Sequence, residues 1–310
     1  MHAVRVFASR RFPARVREAL EGSFELDVHD SEWPLEREEL LRRIAGHDGL
    51  MLMLTERVDD ELLDAAGPQL RIVANYAVGV NNIDLDACRR RGVVVSNTPD
   101  VLTETTAELT IALMLALLRR VAEGDRLIRR GEEWAWAPNL MLGRSLGGLT
   151  LGLIGHGRIG QAVERLALNH GMRVVWSGRG RGQSPDTLLS DSDVVSLHLP
   201  LTDETHHLID AAALVLMKPT AVLVNTSRGP IVDEAALVEA LAEGRIAGAA
   251  LDVFEHEPEV HPGLLELENV VLVPHLGSAT HETREAMGML CVDALRAVLV
   301  EGRMPPNTVV

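Results

Sequence analysis

The tightest constraint on this chain is a spacing of glycines. Residues 149–160 read Leu-Thr-Leu-Gly-Leu-Ile-Gly-His-Gly-Arg-Ile-Gly, an apolar run of strand length that meets Gly155-x-Gly157-x-x-Gly160. The residues that follow, 161–169, have the spacing of an amphipathic helix. Strand, glycine turn and helix in that order are the setting in which this spacing binds a dinucleotide. There the first glycine makes a tight turn, the second lets backbone approach a pyrophosphate, and the third lets helix and strand pack closely. N–H groups and the dipole at the helix start favour the anion. Gly155, Gly157, Arg158, Ile159 and Gly160 are the cofactor contacts expected from this turn.

Upstream, short apolar runs at 4–7, 49–54, 72–74 and 93–96 alternate with segments of helical spacing at 14–20, 35–45 and 59–66. Strands buried on both faces need mainly apolar runs, so the pattern, with Arg5 the one charged residue within it, predicts a parallel sheet covered by helices. Pro99 closes this unit. Residues 101–120 predict a long helix, with Thr105-x-x-Glu108 as a capping box and 107–118 apolar nearly all round. Residues 129–144 are irregular and hold Trp134 and Trp136, and large aromatics in such a segment suit an interface.

A second alternating unit begins at Gly148, with strands expected at 151–154, 174–176, 194–197, 221–225, 248–252 and 270–273. Six strands with intervening helices match the doubly wound order. Residues 177–186, rich in Gly and Arg, are expected to form a surface connection. The final helix, 283–299, comes too late for the second sheet and is expected to return over the first. The expected fold class is α/β: two Rossmann-like or flavodoxin-like doubly wound parallel-sheet domains with an interdomain cleft. A length of 310 residues also favours two domains.

Composition narrows the function. Hydrophobic residues at 46% and aromatics at 3% give an aliphatic core in a soluble globular protein. A net charge of −15 argues against general nucleic-acid binding and against an anionic membrane surface. Two cysteines, Cys88 and Cys291, are too few for a disulfide framework and fit a reducing compartment. The start of the chain reads as a strand without a signal-peptide pattern, and no apolar stretch has spanning length, so a cytoplasmic location is expected.

The cofactor can be read further. An NAD site presents Asp or Glu at the end of its second strand, to hold the ribose 2′-hydroxyl. Here Ser177 is followed by Gly178 at the acidic position, and Arg179 and Arg181 come directly after. Guanidinium groups bind a 2′-phosphate that a carboxylate would repel, so NADPH is the expected cofactor, with NADH possible. Three polar residues also stand at expected strand ends: Arg228, Glu257 and His275. Ligand crevices lie beyond the carboxyl ends of such strands.

Together these features resemble the D-isomer-specific 2-hydroxyacid dehydrogenase family, most closely its glyoxylate/hydroxypyruvate reductases. The resemblance rests on Val78-Gly79-Val80, the Gly155 turn, Asn225-Thr-Ser-Arg-Gly, Ala250-Leu-Asp-Val, Glu257-Pro and Pro274-His-Leu-Gly-Ser-Ala-Thr. It implies Arg228, Glu257 and His275 as the catalytic residues. Arg228 would pair with the carboxylate of a 2-oxo acid and polarise its ketone. His275 would supply a proton, and Glu257 would orient the ring and favour its acid form. Val78, Gly79, Ser278 and Trp136 of a partner subunit would touch substrate. Ser177, Leu199, Pro200, Thr226, Asp252 and Gly277 would join the cofactor contacts, Asp252 also supporting the site. The resemblance further implies a substrate domain of residues 1–98 plus 284–310, a dinucleotide domain of 99–283, and a homodimer formed on the long helix. Asn81 replaces the family's usual Asp.

Alternatives remain at this level. A non-catalytic, dinucleotide-sensing corepressor can keep the same three polar residues and is the alternative of a different class. A reductase of bulkier 2-oxo acids differs only in pocket volume. His206, His207, His256 and His261 show no metal-ligand spacing, and no metal is expected.

Overall fold

The computed structural model describes residues 3–310. Met1 and His2, which open the stretch expected to form a first strand, lie outside the described residues. The chain divides into two compact units, one of residues up to Leu102 together with Thr280–Val310, the other Thr103–Ala279.

The first unit alternates β1 (Arg5–Ala8), α1 (Ala14–Glu21), β2 (Glu25–Val28), α2 (Arg37–Arg43), β3 (Gly49–Leu52), α3 (Asp60–Ala66), β4 (Ile72–Asn75), α4 (Leu85–Arg91) and β5 (Val94–Ser96). All pairings are parallel, in the order β2-β1-β3-β4-β5, the flavodoxin-like arrangement. Strands β3 and β4 are buried along their whole length, which is why their apolar runs are uninterrupted. The edge strand β2, Glu-Leu-Asp-Val, is exposed to half-buried. Its mixed polarity is why no apolar run marks it. Asp59 and Asp84 start α3 and α4 by accepting hydrogen bonds from Leu62 N–H (3.1 Å) and Ala87 N–H (2.8 Å).

The second unit holds α5 (Thr103–Leu118), α6 (Val121–Arg129), β6 (Thr150–Ile154), α7 (Arg158–Asn169), β7 (Arg173–Gly178), β8 (Arg181–Gly182), α8 (Pro185–Asp191) and β9 (Val194–Leu197). It continues with α9 (Ala211–Leu216), β10 (Val222–Asn225), α10 (Glu234–Ala242), β11 (Gly248–Leu251), α11 (Pro262–Leu265) and β12 (Val270–Leu272). The sheet runs β12-β11-β10-β9-β6-β7-β8, so its order reverses between β6 and β9. One expectation is corrected here. Residues 177–186 are not a plain surface connection: β7 runs on to Gly178, and β8 folds back against it antiparallel as a seventh, edge strand.

Apolar side chains fill both faces of this sheet, with Leu197, Leu223 and Leu251 on one and Leu151, Leu153 and Met114 on the other. Helix α5 packs on α7 and on β10, β11 and β12. It begins at Thr103, so Thr105 lies inside its first turn and does not serve as the N-cap of a capping box. The last helix, α12 (His281–Leu299), is capped by Thr280 and packs on α1, β3, β4 and β5 of the first unit. Beyond it the chain end pairs with β5 through Val95 N–H to Val310 O (2.8 Å) and Val309 N–H to Val95 O (2.7 Å). Among the described residues, no helix is long and apolar enough to cross a membrane.

Candidate active site

In a parallel sheet every strand ends at the same edge. The fold therefore gathers at one rim of the second unit segments that lie far apart in sequence: the Gly155 turn after β6, Leu199 and Pro200 after β9, Thr226 and Arg228 after β10, Asp252 and Glu257 after β11, and His275 to Ser278 after β12. This is also the rim at which the strand order reverses.

The glycine turn has little freedom to be anything else. Gly155 has φ +96°, and a Cβ there would sit 2.3 Å from the His198 carbonyl oxygen. A Cβ on Gly160 would sit 2.4 Å from the Gly155 oxygen, so α7 reaches β6 only without a side chain at that position. Around Gly157, by contrast, a Cβ would meet open space, and no side chain caps α7. The N–H groups at the start of a helix need partners, and this uncapped, open helix start fits the pyrophosphate of a dinucleotide. Ile159 packs on the core, which leaves its backbone N–H as what it offers.

The second strand is tied to that turn. Gly155 N–H donates to Ser177 O (2.8 Å), and Ser177 is buried. Gly178 faces the turn, its notional Cβ 3.6 Å from His156 N, with no carboxylate at this position. Arg179 and Arg181 are exposed on the β7–β8 hairpin. Sequence reasoning missed a brace here. The His156 ring stacks on Trp176 (centroids 4.5 Å, interplanar angle 7°) and its Nε2 lies 2.7 Å from Glu164 Oε2 on α7. It also missed His198, whose Nε2 is 2.9 Å from Ser196 Oγ while burial pushes its pKa down to about 3, so the ring is neutral.

Arg228 is half-buried and held from both sides of the chain. Its carbonyl accepts from Asn225 Nδ2 (2.9 Å), and its own Nη1 donates to Ser227 O (2.6 Å). Burial lowers the guanidinium pKa, and the charge of Glu257 opposes that shift. Glu257 accepts from Phe254 N–H through Oε1 (3.0 Å), and its Oε2 lies 2.9 Å from His275 Nδ1. Burial works against the ionised Glu257, yet the His275 bond and charge, the Phe254 N–H and the Arg228 charge outweigh it and hold the carboxyl below the usual range.

The loop that carries His275 hangs on Asp252. This buried carboxylate accepts from Leu276 N–H and from Gly277 N–H (2.9 Å), while the Asp252 carbonyl accepts from His275 N–H (2.9 Å). Burial raises the Asp252 pKa against the pull of those N–H groups. His275 itself has φ +55°, a left-handed backbone that the clamp maintains. Helix α5 contributes from behind: Thr106 Oγ1 donates to Gly277 O (3.1 Å), and Thr110 Oγ1 lies 2.9 Å from Thr226 Oγ1. Two buried threonines four residues apart, Thr106 and Thr110, on the face of α5 that also carries Ala107 and Met114 were the available signal for this contact.

Of the remaining expected residues, Ser278 shares this rim, while Val78, Gly79 and Trp136 lie on other segments. Ser278 is half-buried beside Gly277. Val78 and Gly79 follow β4 in the first unit, their carbonyls accepting from Asn97 Nδ2 and Asn75 Nδ2 (both 2.8 Å). Trp136 lies in the irregular segment after α6 and is 88% exposed.

Comparison with known proteins follows the same lines. Residues 111–277 match the family model described as the NAD binding domain of D-isomer specific 2-hydroxyacid dehydrogenases. The chain is 45% identical to the glyoxylate reductase of Thermococcus litoralis, over 98% of this chain and 96% of that one. A solved structure of a Thermus thermophilus protein superposes with a TM-score of 0.93 at 47% identity, covering 99% of this chain and 100% of that one. The NADPH-dependent glyoxylate/hydroxypyruvate reductase of Sinorhizobium meliloti, solved with NADP and malonate, superposes with a TM-score of 0.84 at 35% identity, covering 99% and 97%.

Proposed function

The chain belongs to the D-isomer specific 2-hydroxyacid dehydrogenases, a family of NAD(P)-dependent oxidoreductases, and we propose that it is an NADPH-preferring reductase of glyoxylate and hydroxypyruvate, yielding D-2-hydroxy acids. One observation carries the proposal. A half-buried arginine and a carboxylate-backed imidazole, Arg228 and Glu257–His275, share a sheet rim with an uncapped glycine turn.

The dinucleotide, when bound, supplies the hydride. Arg228 pairs with the carboxylate of the 2-oxo acid and polarises the adjacent ketone oxygen, more strongly because its guanidinium is withdrawn from water. Glu257 occupies Nδ1 of His275 and leaves Nε2 to face the new alkoxide, to which the ring delivers a proton. Asp252 holds the His275 loop in place through the Leu276 and Gly277 N–H groups. We assign the N–H groups of Val78 and Gly79 and the Ser278 side chain to substrate. Support for NADPH comes from Gly178 at the acidic position, from the exposed Arg179 and Arg181, and from the NADPH dependence of the Sinorhizobium relative.

We further assign a homodimer and a reducing, cytoplasmic compartment. Trp134, Trp136 and Leu142 are exposed apolar groups of one irregular segment, and Cys88 and Cys291 are buried and unpaired.

The test is turnover of glyoxylate, hydroxypyruvate, pyruvate and phenylpyruvate with each cofactor. Fastest NADPH oxidation with the two small substrates is expected. Tight cofactor binding with no turnover of any 2-oxo acid overturns the proposal in favour of a sensor, and a preference for phenylpyruvate moves it to bulkier substrates.

A further inference from the structure

We propose that His206, His207 and Glu255 form a binding site for a divalent transition-metal ion of the zinc class. Metal-ligand spacing is absent from the sequence around these residues, because Glu255 lies on the segment after β11 and the two histidines on the segment after β9. The fold brings them together: one ligand atom from each lies within 4.8 Å of the other two. His207 Nε2 is 2.7 Å from Glu255 Oε1, and the two imidazole rings face each other with centroids 4.1 Å apart.

Adjacent residues in extended chain point to opposite sides and cannot share an ion. Here His207 has φ +49°, which turns the chain and sets its ring beside that of His206. Both ends of the site are anchored. His207 N–H donates to Pro230 O (2.8 Å), Glu255 N–H donates to Glu234 Oε1 (2.7 Å), and Glu255 Oε2 accepts from Glu234 N–H (3.2 Å).

A second, independent feature is a carboxylate behind the ligand. Asp233 caps α10 through Oδ1, and its free Oδ2 lies 4.0 Å from His207 Nδ1, the nitrogen left over when Nε2 is used, so it reaches hydrogen-bond distance only if it draws in with the ligands. Metal-bound histidines characteristically donate that second N–H to a carboxylate, which fixes the ring and raises its basicity. Two imidazoles and one carboxylate suit zinc, cobalt or nickel, whereas magnesium and calcium take oxygen sets. Bond lengths of about 2.0–2.2 Å around such an ion require the three groups to draw in from their present spread. His206 is exposed and its partners half-buried, so a fourth position remains open to water.

The experiment is titration of the full chain with Zn2+ by calorimetry, and with Co2+ by visible absorption, on the wild type and on the H206A, E255Q and D233N variants. One equivalent is expected, with the tetrahedral Co2+ spectrum. H206A and E255Q should each weaken binding at least tenfold, and D233N should weaken it by roughly tenfold. His206 is exposed, so H206A keeps the fold, and thermal melting checks it. Unchanged stoichiometry and affinity in H206A overturn the proposal, as does a wild type that takes up no Co2+ with a tetrahedral spectrum. Because NADPH turnover by H206A is expected to match wild type without metal, failure of this site leaves the reductase proposal standing.

Discussion

Glu257 and His275 stand 18 residues apart in sequence, and their side chains meet at 2.9 Å, Oε2 to Nδ1, because β11 and β12 are neighbours in register. The contact has a pH signature. The folded-state pKa of Glu257 lies below its ordinary value, so the ionised carboxylate contributes stability that is fully present above roughly pH 4.3, the unfolded value. That contribution is lost as pH falls through the depressed folded value. E257Q should therefore be less stable than wild type at neutral pH, and the gap should close on acidification. Urea melts at about pH 7 and about pH 3.5 measure it; a gap that widens in acid contradicts the assignment. The same variant should lower kcat far more than it alters NADPH binding.

Arg228 is the group for which charge alone does not suffice. Lysine keeps the charge and loses the planar fork. R228K should reduce kcat/KM for glyoxylate by about 100-fold or more, roughly 3 kcal/mol of transition-state stabilisation. Cofactor affinity should be unchanged, as read by fluorescence titration with NADPH.

Cofactor choice tests the β7–β8 hairpin. Arg179 and Arg181 are exposed, so a contact of either with the 2′-phosphate of the proposed NADPH would be worth less than a buried one. The double variant R179A/R181A should lower the ratio of NADPH to NADH efficiency by about tenfold. An unchanged ratio would mean that the two guanidinium groups are merely solvated.

Asp252 predicts a stability effect without a charge explanation. D252N retains the shape but points an NH2 group at one of the two N–H donors, Leu276 or Gly277. Leaving a buried N–H without an acceptor costs about 1–3 kcal/mol. Denaturant unfolding should register that loss, and kcat should fall because His275 depends on the same loop.

The exposed tryptophans make a prediction about assembly. Sedimentation of W134A/W136A should shift from dimer toward monomer relative to wild type. Two proteins that sediment alike as dimers would place the interface elsewhere.

What the sequence determined by itself was local. Mainly apolar runs announced the strands buried on both faces, such as β3, β4 and β9, and three glycines announced a turn whose φ and close contacts allow no other residue at Gly155. Strands that lack such runs stayed hidden. Glu25–Val28 is half polar at a sheet edge, and the two residues of β8 pair only because the hairpin returns. Arg228, Glu257 and His275 were visible singly, as polar residues ending apolar strands. The resemblance grouped them, and tertiary structure alone decided what supports them, the clamp of Asp252 on the His275 loop and the threonines of α5 behind Gly277 and Thr226, as it alone decided the meeting of Glu255 with His206 and His207. The reason is physical. Strand burial and turn conformation are imposed on neighbouring residues and leave a periodic trace, whereas a hydrogen bond between distant segments constrains two positions whose spacing depends on every element between them.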